Sequence, residues 1–585
     1  MHKGKYKFWS SALCVLCASF VCFVSSFSAR ADDADLILYH GKIVAVDKDF
    51  SIQQALAIRG NGILLVGSND EVLKTRGPKT EVIDLQGKTV LPGLIDSHVH
   101  PNSACMTEFD HPLPDFETIA DVLSYIRARA KIVPEGRWIT LSQVFITRLR
   151  EQRYPTRAEL DEAAPKHPVE YATGPDASLN TLALKLSKID KDFRVTDGGP
   201  GYAEKDPKTG EPTGILRSCT RYVKSESSER PPSESDHVER LLQLFKDYNS
   251  VGLTGIIDRN ASPSEIDRYR KLREADKLSL RLRISHHIDT VGVAENIQKN
   301  IRKVAEHPQR KDDPFLRIIG IKTFLDGGML TGSAYMRQPW GVSQIYSIDD
   351  PNYRGLLFIP REKLLAIVQT TVDSGLQFTA HSVGDGAVHT LLDVYDEVNK
   401  TTPVRQTRPC VTHSNFMSKE AIDTLVKLGA VVDIQPAWLY LDSRTLVKQF
   451  GNDRLRYFQP LKSIFEAGAI AGGGSDHMQK IGSLRSINPY NPFLAMWVTI
   501  TRKAKWFDGQ LHPEEAISRE QALRFYTSNN AYLMFMEKVV GSLETNKLAD
   551  LIVVDRDLLT CPVDDIKDTK VLRTYVGGKL VYGGK

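Results

Sequence analysis

Two hydrophobic periods alternate along the chain. From about residue 35 to 90 the apolar positions fall in short runs, Asp35–Leu38, Lys42–Val46, Ala55–Arg59, Gly62–Val66 and Glu81–Asp84, several of them separated by glycine-containing turns. Such runs predict an all-β segment. The far C-terminus has the same character in Ala549–Val554, Val571–Val576 and Lys579–Tyr582. The two chain ends therefore predict one composite β-sandwich, residues 32–88 with 541–585, and the rest of the chain is inserted between them. In that middle part, apolar runs alternate with helical stretches. Eight runs predict strands: Thr89–Ile95, Leu253–Ile257, Ser279–Ile284, Ile318–Phe324, Gln377–Ala380, Cys410–Thr412, Ala430–Ile434 and Ile470–Gly474. A helix is predicted from a Ser418 cap to about Leu428, with Ala421, Leu425 and Leu428 on one stripe. Eight alternating units predict an α/β fold, a (β/α)8 TIM barrel over 89–100 and 237–540, with its chemistry at the C-terminal strand ends.

The first and second strands are separated by an α+β insertion, residues 101–236. It has its own helical stretch (Phe116–Ile132) and strand-like pieces (Trp138–Val144, Val169–Ala172), and it closes on a Ser-, Glu- and Pro-rich linker, Ser225–Asp236. An insertion on the active face of a barrel predicts either a lid or a peripheral decoration, and the pattern does not choose between them.

Several strand ends carry chemistry. Alternate residues of a strand point the same way, so His98 and His100 project from one face, and two neutral imidazoles set like that can chelate a divalent metal. Lys322 lies inside an apolar strand, where an ammonium is costly to bury. His381 and His413 each follow an apolar run, and Asp476 follows Gly472-Gly473-Gly474-Ser475. One strand-end histidine or turn aspartate means little. Six such residues at the same end of one barrel predict a metal site.

Composition narrows the remaining picture. The formal net charge of +4 over 585 residues comes entirely from residues 1–31, which hold Lys3, Lys5, Lys7 and Arg30 and no acid. The balanced remainder gives no sign of a nucleic-acid partner. A basic start, an apolar stretch from Phe8 to Phe27 and Ala29-Arg30-Ala31 predict a signal peptide over 1–31 and an exported protein, periplasmic or extracellular, free of the membrane after cleavage. An uncleaved membrane anchor is the alternative. Cys14, Cys17 and Cys22 leave with that segment. Cys105, Cys219, Cys410 and Cys561 are too scattered to suggest a metal or disulfide framework. Homo-oligomerisation is left open.

At this point the chain resembles the amidohydrolase superfamily and, within it, the YtcJ-like amidohydrolases, the group related to N-substituted formamide deformylases. The resemblance runs over about 35–585. It is carried by Pro92-Gly93-Leu94-Ile95-Asp96-Ser97-His98-Val99-His100, by Thr213–Arg217 and Ile321–Gly328, by His381–Ala387 and Thr412-His413-Ser414-Asn415, by Gly474-Ser475-Asp476, and by the closing pieces Leu548–Val554 and Val576–Lys579. It implies that His98 and His100 hold the more buried of two divalent ions, of which zinc is expected, and that His381 and His413 hold the other. It implies that Lys322 bridges them as a CO2-derived carbamate, with a single ion as the alternative. It further implies that Asp476 binds the bridging water, takes its proton and passes it to the leaving amine.

The expected reaction is hydrolysis of an amide or other non-peptide C–N bond in a small molecule by metal-activated hydroxide. Ring-amine deamination and ester or lactone cleavage on the same barrel are alternatives, as is a metal-free binding protein. Superfamily deaminases usually follow the strand-five histidine with His-x-x-Glu, whereas His381 is followed by Ser382-Val383-Gly384. The chain departs from the subfamily at Pro175, at Thr331–Ala334 with Tyr335, and at His477 and Met478, positions expected to face the substrate. Tyr335, Asp385, Asn415, Gln435 and Trp438 are the pocket candidates. His286 and His287 are expected to be structural.

Overall fold

Eight parallel strands are hydrogen-bonded in chain order around one axis: β1 (Leu94–Val99), β2 (Leu253–Ala261), β3 (Arg281–His287), β4 (Leu316–Phe324), β5 (Gln377–Ser382), β6 (Cys410–His413), β7 (Val431–Ile434) and β8 (Ile470–Gly473). This is a computed structural model that describes residues 33–142, 144–226 and 230–584. The expected signal segment lies outside the described residues. β8 returns to β1 at the C-terminal rim, where the Asp476 amide donates to the His98 carbonyl and the His100 amide to the His477 carbonyl, both at 2.8 Å. Gly474 permits this closure, because a Cβ there would lie 2.8 Å from the His98 Cβ. Asp96 staples the same seam by accepting from the His98 and Ser475 amides.

The barrel interior changes character along the axis. Toward the N-terminal ends, Ile95, Ile257, Ile319, Cys410 and Val431 pack with Met534 and Val540. Higher up, Arg259, Gln377, Thr379 and Asp433 form a buried polar layer.

The first predicted strand, Thr89–Ile95, is two strands. Thr89–Pro92 belongs to a six-stranded sheet, parallel to Lys42–Val44 and antiparallel to Leu551–Val554, and the barrel strand begins only at Leu94. The chain changes sheets at Gly93, where a Cβ would sit 2.1 Å from the Thr254 hydroxyl oxygen. The six-stranded sheet takes strands from both chain ends and packs on a four-stranded sheet of residues 34–84. Leu36, Leu38 and Ile58 of one sheet meet Ile43, Val90, Leu551 and Tyr575 of the other. The N-terminal segment is not purely β: Asn69–Leu73 is a short helix, started by a capping box between Ser68 and Glu71.

The insertion holds a five-stranded sheet, of which only the Ile139–Leu141 and Val169–Thr173 strands answer to predicted runs. Asp176–Leu179, Tyr202–Lys205 and Pro212–Arg217 complete it. The predicted linker ends early, because Ser233 caps a helix, Glu234–Ser250, that buries Leu241, Leu244, Phe245 and Tyr248. No helix among the described residues is long and apolar enough to cross a membrane, and Cys105, Cys219, Cys410 and Cys561 are unpaired.

Candidate metal centre

His98 lies within β1 and is fully buried, and His100 is the residue that ends the strand and begins the helix Pro101–Met106. The two-residue period brings their Nε2 atoms to 3.3 Å. Asp476 enters from the other side of the seam, its Oδ1 3.4 Å from His98 Nε2 and 3.1 Å from His100 Nε2. The three donor atoms form one cluster. Around it stand the rings of β5 and β6: His413 is 4.9 Å from His98 and 4.4 Å from His381, centroid to centroid. Lys322 rises from β4, 1% exposed, with Nζ 4.9 Å from the Phe324 ring centroid. All six residues therefore meet at one barrel end. The backbone is strained there: His413, Ser414 and Asp476 have φ of +74°, +47° and +54°, a region that non-glycine residues seldom adopt.

Burial sets the protonation. It holds the His98 and His413 imidazoles well below their ordinary range and pushes His381 down to about 3, with Lys322 as the next contributor for His381. It also lowers Lys322 to about 8, against the opposing pull of Asp433 and Asp476. Hydrogen bonds set the tautomers. His98 Nδ1 faces Asp433 Oδ1 at 3.5 Å, and His413 Nδ1 faces Gln435 Oε1 at 2.7 Å, so the proton sits on Nδ1 and the Nε2 lone pair is free. His381 Nε2 donates to the Gly327 carbonyl at 3.3 Å, which frees Nδ1. Neutral imidazoles with lone pairs turned on one another and on a carboxylate repel unless something cationic lies between them. The donor set fits a divalent ion.

A cavity of about 680 Å³ opens above these residues. Of the five pocket candidates, Trp438 lines it, stacked 4.6 Å from the His413 ring. The other four sit outside the lining. Gln435 is the buried partner of His413, and Asp385 accepts the Arg337 amide. The Tyr335 amide donates to Asp326, and Asn415 is buried, its side-chain amide without a partner among the described residues. The departures from the subfamily divide. Pro175, Thr331 and Met478 line the cavity, but His477 turns away and hydrogen-bonds Tyr248 at 2.7 Å. His287, expected to be structural, does line it.

Other residues carry the site without a sequence signal. Asp433 is ion-paired to Arg259 at 3.0 Å, both fully buried, and it also receives the His413 amide. Asp326, pushed up to about 8 by burial, accepts from the backbone of Val383, Gly384 and Tyr335 and so ties the loop after β4 to the turn after β5. The insertion takes part directly. Phe145, Thr173, Gly174 and Pro175 form cavity wall, and Arg148 bonds Asn488, whose amide in turn donates to the Asp476 carbonyl at 2.6 Å.

Fold and site together define a barrel hydrolase with a candidate metal centre. The amidohydrolase family profile matches residues 81–582, and the chain belongs to that family, as a hydrolase acting on C–N bonds. It is similar to the N-substituted formamide deformylase of Arthrobacter pascens, 28% identical over 94% of this chain and 98% of that one. The putative amidohydrolase YtcJ of Bacillus subtilis is 23% identical over 93% of this chain and 99% of its own length. Among solved structures, an uncharacterized metal-dependent hydrolase from Pyrococcus horikoshii superposes with a TM-score of 0.65 at 21% identity, covering 90% of this chain and 99% of that chain.

Proposed function

We propose that this protein hydrolyses an amide or related non-peptide C–N bond of a small molecule, with one or two divalent ions, zinc above all, held by His98, His100, His381 and His413. The observation that carries this reading is the convergence of two histidine Nε2 atoms and an Asp476 oxygen within 3.1–3.4 Å of one another. A bound divalent ion supplies Lewis acidity, polarising a carbonyl and acidifying water. The remaining work belongs to the chain. Asp476, 4% exposed at the cavity floor, accepts a proton from the attacking water and returns it to the leaving nitrogen, which is a poor leaving group until protonated. Burial keeps the Lys322 amine partly neutral, the form that adds CO2 at nitrogen and releases a proton to become an anionic carbamate ligand. Asp433 and Gln435 hold the rings of His98 and His413 in register.

Metal analysis of the mature protein tests this reading. About two divalent ions are expected, falling to about one in Lys322→Ala. Asp476→Asn should lose about 10²–10⁴ in amide-hydrolysis rate, the usual worth of a positioned proton carrier. Full activity in that variant removes Asp476 from the proton path. Absence of both metal and amide hydrolysis under metal-replete preparation overturns the proposal. Export, with cleavage after Ala31, belongs to the same proposal and is checked by N-terminal sequencing of the secreted protein.

A further inference from the structure

The cavity has two unlike sides. Asp258 and Asn260 lie on β2, Glu265 on the helix Pro263–Glu274 that follows, and His287 ends β3. Trp438 follows β7, which is four strands from β3 in an eight-stranded barrel and therefore faces it across the mouth. Phe145, Leu330 and Met478 also line the cavity. Trp438 thus gives one side an aromatic wall, and the side of β2 and β3 presents acceptors.

Among the described residues the nearest cation to the acceptor side is Lys322, the strand neighbour of His287, and its amine is buried. Asp258 takes the Tyr269 hydroxyl (2.7 Å) on one oxygen and the Asn260 amide (3.1 Å) on the other, and Glu265 takes the Ser262 amide (2.7 Å) and hydroxyl (2.8 Å) through one oxygen, leaving its second without a protein donor among the described residues. His287 gives its Nδ1 to Asn260 at 2.8 Å, which leaves Nε2. Arg268, on the same helix, is occupied by two 2.8 Å bonds to Glu234 and one to Asn102. Among the described residues that line the cavity there is no arginine, and the single lysine, Lys322, is buried among the metal donors. The helix N-terminus that opens on the cavity, ordinarily attractive to an anion, is already capped by Glu265. A substrate carboxylate finds no partner here and meets two acids.

We infer that the substrate is a small amide that carries a protonated amine remote from the scissile bond, with the ammonium between Asp258, Glu265 and His287 and the apolar body against Trp438. This rests on the amide-hydrolysis reading and adds charge selection to it.

The test uses metal-loaded protein and three N-acyl alkylamines of equal length that end in a methyl group, an ammonium or a carboxylate. The ammonium compound should exceed the neutral one in kcat/KM by about 10- to 100-fold, the worth of one charge-assisted hydrogen bond, and the carboxylate should be slowest. Glu265→Gln keeps the capping geometry, which glutamine also satisfies. It should lower the ammonium-to-neutral ratio about tenfold. A carboxylate compound cleaved as fast as the ammonium one overturns the inference, as does a ratio unmoved by Glu265→Gln. If no amide is cleaved, the hydrolytic reading fails and binding decides this one. Alkyl diamines should then raise the unfolding temperature more than the matching amino acids, and the reverse order overturns the inference.

Discussion

The two ends of the barrel are each held by a buried arginine–aspartate pair, and the pairs are built differently. At the base, Arg281 forks onto Asp550 at 2.5 and 2.7 Å and bonds the Pro314 carbonyl, and Asp550 also takes the Gly577 amide. This pair joins β3 to the sheet made from both chain ends. Under the metal site, Asp433 spreads its two oxygens over longer contacts, to Arg259, Thr412, Gln435, the His413 amide and His98 Nδ1, at 3.0 to 3.5 Å. The first is a clamp between two structural units. The second is an orienting hub, in which the carboxylate pairs with the arginine charge and sets a histidine tautomer. The same two residue types therefore serve cohesion in one place and ligand geometry in the other.

The comparison can be broken from either side. Asp550→Ala strands a buried guanidinium and should cost about 3–5 kcal/mol in denaturant unfolding of the metal-free protein, with metal affinity unchanged. Altered affinity in that variant would show that the base pair is not only a clamp. Asp433→Asn should weaken metal binding about 10- to 100-fold in a chelator competition, so that added metal raises the unfolding temperature less than in the parent. An intact metal-induced shift would reduce Asp433 to a structural residue. Arg259→Lys keeps the charge but not the guanidinium bonds to Gln377 and Thr379, and its loss of metal affinity should be smaller than that of Asp433→Asn. Ser233→Ala removes the cap of Glu234–Ser250, far from either pair, and should cost about 1 kcal/mol with no change at the site.

The strand ends were legible because barrel chemistry leaves polar residues after apolar runs, and the fold brings His100, Lys322, His381, His413 and Asp476 to one cavity with His98 buried beneath it. The hub was not legible. Arg259 reads as an ordinary charged neighbour of an apolar run and Asp433 as a lone acid within one, and nothing in the chain says that two residues 174 positions apart meet inside the barrel. The boundary at Gly93 was missed because Thr89–Ile95 is a continuous apolar run, and a period of two does not reveal a change of sheet. Insertion strands such as Tyr202–Lys205 carry too little apolar alternation to stand out.

By itself, the order of residues determined the barrel and the chemical kinds of its donors, because alternation and side-chain chemistry are local properties. Tertiary structure alone decided which lone pairs face inward, which carboxylate orients the His98 ring, and that insertion residues wall the cavity. Those outcomes depend on burial and on contacts between distant segments, and such contacts exist only after the strands have closed.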